Sequence, residues 1–198
     1  MPENQQWLRT DEQRDVLASL EEVRHQVERA LGDPKQWKWA IIAMCSALNG
    51  ALVCHLTGSA GIGALNKKCA VETLKALNDD KPEEIPKPWL AYPKTLLQRS
   101  QRREQPDTRI ESAGPQIMVS KCQKTAFDTL FDFRNELIHY KPSGWSIEVS
   151  GFPSLFWSCL EIILRVNDAG YGFRHLTQEE AAKLERTVAD LERLLRTK

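Results

Sequence analysis

Neither sign of charge dominates this 198-residue chain: 27 lysines and arginines stand against 27 aspartates and glutamates. No global basic field therefore advertises nucleic acid or an anionic membrane, and any such contact must come from a local patch. Paired cysteine motifs are missing too. Cys45, Cys54, Cys69, Cys122 and Cys159 are scattered, odd in number and free of C-x-x-C spacing. That speaks against a disulfide framework or a zinc ribbon and for a reducing compartment. His25, His55, His139 and His175 lie far apart, with no H-E-x-x-H pair, so no metal site and no cofactor are expected. A G-x-S-x-G nucleophile elbow is absent. The start, MPENQQWLRTDEQRD, is polar and acidic without an apolar h-region and does not read as a signal peptide. The expected location is the cytoplasm. Internal repeats and low-complexity tracts are also absent.

One long apolar run is present, from Trp39 to Leu56, without a single charge. Its length sits at the short limit for a spanning helix. Ser46, Asn49, Gly50 and His55 interrupt it, and no cationic cluster flanks it, which favours a helix buried in a bundle over a membrane span. The following GSAGIG, Gly58 to Gly63, lacks the Gly-Lys-Ser/Thr ending of a phosphate loop and follows a helix rather than a strand. It reads as a helix C-cap and connector.

The remaining periodicity is helical almost throughout. Thr10 with Gln13 reads as a capping box opening a first helix whose seam is Val16, Leu20, Val23 and Val27. Asp33-Pro34 signals a restart. Leu65 to Asn78, Pro93 to about Arg103, and Ser120 to Tyr140 make further helices. Pro153 opens another that runs through Asn167, and Thr177 with Glu180 caps the last, whose seam is Leu184, Val188, Leu191 and Leu195. The two narrow terminal seams are expected to pack on each other or on a second copy. Residues 104 to 118 read as a mobile loop. Trp145, Ile147 and Val149 alternate with Ser146, Glu148 and Ser150, which suggests an extended or hairpin segment near 145–150. The expectation is a single all-α domain over 1–198, a bundle of about six helices. Trp39, Ile42, Leu48 and Leu52 should be buried with Phe127, Leu130 and Leu137 and with Phe156, Leu160, Ile163 and Leu164.

Within AFDTLFDFRNELIHY, one charge stands where it should not. At about 100° per residue, Ala126, Phe127, Leu130, Phe131, Phe133, Leu137 and Ile138 fill one broad arc, and Arg134 projects from near its middle. Asp128, Asp132, Asn135 and His139 form a separate polar stripe at spacings of 4, 3 and 4. A guanidinium in an apolar arc is costly unless an anion meets it. The anion is either an internal carboxylate, such as Glu161 or one on the first helices, or a ligand such as phosphate. Metal-free RNA cleavage needs a group that moves a proton and a cation that holds the phosphate. Histidine and arginine are the minimal pair. Five residues apart, Arg134 and His139 diverge by about 140° on a regular helix. They converge only if the last turn before Pro142 loosens and a second helix or a second copy presses in. The plainer alternative makes His139 a helix-end cap.

The sequence RNELIH resembles the signature of the HEPN superfamily: arginine, a polar residue, three variable residues, then histidine on a late helix of an all-α bundle. The flanking FRNELIHYKPSGWSIEVSGFP and the earlier DPKQWKWAIIAMCSALNGALV are similar to an uncharacterised bacterial branch of it, and together cover about a third of the chain. Many members are metal-independent endoribonucleases that act as dimers with two motifs facing one cleft. The resemblance implies that Arg134 grips the scissile phosphate, His139 is general acid or base, and Asn135 orients it. The expected products are a 2′,3′-cyclic phosphate and a 5′-hydroxyl. HEPN toxins controlled by nucleotidyltransferases often carry a tyrosine two positions after the histidine. Here that position is Lys141, preceded by Tyr140, and these two are the expected binding residues. Other members bind without cutting, so the alternative is a non-catalytic RNA-binding or dimerisation module.

Overall fold

The computed structural model describes residues 6–8, 10–58, 61–78, 85–102, 114–139, 142, 144 and 146–196. The chain is an all-α bundle, with seven helices among the described residues, one more than expected. They are α1 (Glu12–Ala30), α2 (Trp37–Leu56), α3 (Lys67–Asn78), α4 (Pro93–Ser100), α5 (Lys121–Ile138), α6 (Phe152–Asp168) and α7 (Gln178–Arg196). No strand forms among the described residues. The one bridge joins Leu65 and Leu90, antiparallel. Residues 146–149 belong to no helix or strand, and Ile147 and Val149 rest half-buried on the main core.

The apolar run becomes the hub of the bundle. α2 packs against α1, α4, α5 and α6. By length and composition Pro34–Leu56 could cross a membrane, yet 67% of its most apolar window is buried inside the bundle. Leu48 and Leu52 are fully buried, as are Phe127, Leu130, Phe156, Leu160 and Ile163 within a few per cent. One expectation reverses at the start of this helix. Trp39 is 52% exposed, whereas Trp37 is only 6% exposed. Positions two apart on a helix face nearly opposite ways, and the aromatic partners of α6 lie on the Trp37 side. Its ring meets Phe152 and Phe156 edge-on, at centroid distances of 5.3 and 5.1 Å. Ile42 and Leu164 are half-buried. Ile42 opens onto a cleft beside α5, and Leu164 onto a small hollow between α6 and α7.

Caps follow the local chemistry, with one correction. The α1 cap is Asp11, which accepts the Gln13 and Arg14 amides at 3.1 and 2.9 Å. Gln13 cannot close a box with Thr10 because its Oε1 accepts the His175 amide at 3.1 Å instead. Asp33 accepts the Lys35 amide, and the restart begins as a short 3-10 turn, Pro34–Gln36. α3 starts two residues later than expected, where Asn66 accepts the Cys69 amide at 3.0 Å. The glycine-rich connector turns through Gly61, whose φ of +67° is the left-handed region. Ser120 with Gln123 and Thr177 with Glu180 form full capping boxes. α1 and α7 do pack on each other, with Lys183 reaching Glu21 at 2.8 Å and Arg14 reaching Glu180 at 2.7 Å.

The stretch expected to be mobile is fixed at its C-terminal end. Residues 104–113 lie outside the described residues, but Ile117 is 3% exposed and its amide donates to Ser100 O at 2.9 Å. His55, fully buried at the end of α2, holds the Pro115 carbonyl through Nε2 at 2.8 Å. This segment leads directly into the Ser120 cap, so the start of α5 is tied to the end of α2. Burial lowers the His55 pKa below its ordinary 6.5, against the raising effect of the Pro115 bond. The folded state therefore favours neutral His55, and stability is fully present above pH 6.5 and falls as pH drops below it. The other three histidines are exposed. The expected result is a melting midpoint that declines as pH falls below about 6.5. The slope should flatten in His55→Gln, which retains a donor; an unchanged slope refutes the assignment.

Candidate functional site

α5 presents two adjacent ridges to an open cleft of about 880 Å³. Phe127, Phe131 and Arg134 form one and Asp128, Asp132 and Asn135 the other, each at helical spacings of 4 and 3. α2 supplies the facing wall with Ile42, Cys45, Ser46 and Asn49. The entry to α4 supplies the rim with Tyr92, Pro93 and Lys94. That rim is positioned by backbone pairing, since the Ala91 amide donates to Ala64 O and the Asn66 amide to Trp89 O, at 2.9 and 2.8 Å.

The apolar arc of α5 thus divides. Ala126, Phe127, Leu130 and Leu137 enter the core, while Phe131 is half-buried and Ile138 is 41% exposed. Arg134 stands at the edge of the buried surface rather than in its middle, half-buried and open to the cleft. Its Nη1 donates to Asn135 Oδ1 at 3.1 Å. Among the described residues, no carboxylate lies within ion-pair distance of it. Glu161, one expected partner, instead accepts from Gln123 Nε2 at 3.0 Å. Lys94 and Asp128 pair across the rim at 3.2 Å. Asp132 is exposed and has no hydrogen bond or ion pair with any described residue.

The Cys45 thiol lies beside this charge and donates to Leu130 O at 3.7 Å. Burial pushes its pKa up to about 12, and Arg134 opposes that only in part. A thiol so protonated is a packing group rather than a nucleophile at neutral pH. Cys159, deeper still, is pushed up further by burial.

The residues expected to act together are only partly gathered. Arg134 and Asn135 line the cleft, but His139 does not. It is the exposed C-cap of α5, its amide donating to Asn135 O at 2.9 Å, one turn beyond Asn135 on the same stripe. The Asn135 side chain meets Arg134, not His139, so within one chain it does not orient the imidazole. Tyr140 and Lys141 lie outside the described residues. Tyr92, Lys94 and Asn49 escaped sequence reasoning, because no local pattern marks them and only tertiary packing brings them to Arg134. No group of three or more His, Cys, Asp or Glu residues that would hold a metal ion occurs among the described residues. No family model, no curated protein and no solved structure matches this chain.

Proposed function

We propose that this protein is a metal-independent endoribonuclease of HEPN type that works as a dimer on single-stranded RNA. The observation carrying this reading is Arg134, a permanent cation open to a cleft of about 880 Å³ and paired with no carboxylate among the described residues. Desolvating a guanidinium at a cleft without an internal counter-ion makes sense where the counter-ion is a ligand, and phosphate suits its planar fork. In the proposed reaction Arg134 holds the scissile phosphate while charge develops on it. His139 moves the proton between the 2′-hydroxyl nucleophile and the leaving 5′-oxygen, so the chain ends as a 2′,3′-cyclic phosphate and a 5′-hydroxyl. Because His139 of one chain stands off its own cleft, the reading assigns it to the cleft of a second copy. Symmetric pairing places both motifs at such a junction at once.

The test incubates single-stranded RNA with the wild-type protein in excess chelator. Cleavage to 2′,3′-cyclic phosphate ends is expected, together with a solution mass of twice 22.6 kDa. A chain that stays at 22.6 kDa and leaves RNA intact overturns the proposal. A dimer that binds RNA without cutting it supports the non-catalytic module, which the misplaced His139 favours as the second reading.

A further inference from the structure

Around Arg134, three side chains in the cleft have no partner among the described residues, and together they have the chemistry of a base reader. Tyr92 sits on the rim, 83% exposed, and its ring makes no aromatic or cation contact with a described residue. From one wall Asp132 presents a carboxylate, and from the facing wall Asn49 an amide, neither with a partner among the described residues. A cleft of about 880 Å³ is ample for a nucleotide, since small-ligand sites typically span about 300–1,000 Å³.

The geometry points to a guanine-reading pocket in which Tyr92 stacks on an unpaired base, Asp132 and Asn49 read its Watson–Crick edge, and Arg134 holds its phosphate. The inference rests on the ribonuclease reading for the role of Arg134 and adds the base to it. Guanine alone offers two adjacent donors, N1–H and N2–H, to one carboxylate, with O6 beside them to accept from an amide. Adenine and cytosine each offer one amino donor beside a ring acceptor, which faces a carboxylate unfavourably. Uracil flanks its single N–H with two carbonyl oxygens. Asp128 cannot serve in place of Asp132, because Lys94 holds it at 3.2 Å. The base must be unpaired, since a duplex hides both its face and this edge. An open cation, Arg134, together with an open anion, Asp132, suits a nucleotide better than a uniformly basic groove would. A basic groove tracks backbone without reading sequence.

The experiment measures binding of short fluorescent 2′-O-methyl oligonucleotides, which lack the nucleophile for cleavage. Each carries one G, A, C or U among abasic positions. The wild type is expected to prefer G by about tenfold or more, the discrimination of a bidentate base contact. Asp132→Asn should erase that preference, weakening G without weakening A, C or U. Tyr92→Ala should weaken every base by about tenfold, and Tyr92→Phe should restore it. Both side chains are exposed, and circular dichroism checks that the variants fold as the wild type does. Equal binding of all four bases, indifferent to both variants, overturns the guanine pocket; if the wild type still cleaves through Arg134 and His139, the ribonuclease reading survives. Guanine preference that depends on Asp132 in a protein that never cleaves upholds the pocket and removes the enzyme. Binding of no oligonucleotide overturns both.

Discussion

Arg134→Ala and His139→Ala should each lower cleavage of single-stranded RNA by at least about 100-fold, the usual loss when one proton-transfer or charge-stabilising group is removed. The melting midpoint should move little, because neither side chain anchors the fold. Among the described residues, Arg134 bonds only to the neighbouring Asn135 side chain, and His139 is an exposed cap. Removing such groups costs under about 1 kcal/mol, whereas breaking a buried ion pair costs about 3–5. One gel and one melt on the same proteins therefore separate the two roles. Mixing the two inactive variants adds a third readout. If Arg134 of one chain works with His139 of the other, a mixed dimer rebuilds one complete site, and random exchange returns about a quarter of the wild-type rate. Stable variants that each stay inactive when mixed would confine both residues to one chain. Variants that melt much earlier than the wild type would make Arg134 structural after all.

What the sequence revealed about this site follows the reach of its signals. The charge in the apolar arc of α5 and the polar stripe of Asp128, Asp132, Asn135 and His139 are local patterns, and a helix preserves local patterns. Asp128, Asp132 and Asn135 accordingly line one cleft together. The relation of Arg134 to His139 was bounded by helical geometry, and the observed cap leaves His139 off the cleft. Tyr92 reaches the site from about forty residues away, through backbone bonds between the two connectors that flank α3. No periodicity encodes that kind of neighbour. The same limit explains the cap of α1. The S/T-x-x-E/Q pattern was read correctly at Thr177, where Glu180 was free to close the box. It failed at Thr10 because the His175 amide, 162 residues on from Gln13, claims that side chain. The anchor of residues 114–118 was hidden for a related reason. The loop composition there looks mobile, and only the fully buried His55 and the Ser100 carbonyl reveal what holds it.

Trp37→Ala should destabilise the bundle by about 3–5 kcal/mol, and Trp39→Ala by less than about 0.5. For a chain of this size that is a fall of about 6–20 °C in melting midpoint against a shift within about 2 °C. The two tryptophans flank a lysine in the same uninterrupted helix, and composition gives no reason to rank them. Rotation does. Trp37 turns into the aromatic group of Phe152 and Phe156 and meets both rings edge-on between the start of α2 and the start of α6. Its loss leaves a cavity that neighbours already in close contact cannot fill. Phe152 also touches Phe133 of α5, centroids 5.3 Å apart, so the cavity loosens the C-terminal half of the helix that carries Arg134 and His139. RNA cleavage by Trp37→Ala is therefore expected to fall with temperature before that of the wild type, although the side chain lies outside the cleft. Trp39 projects on the opposite side, its ring 5.0 Å from Lys38 Nζ, and solvent takes its place when it is removed. Equal midpoints for the two variants would refute the assignment of α2's buried face, and with it the packing that orients α5.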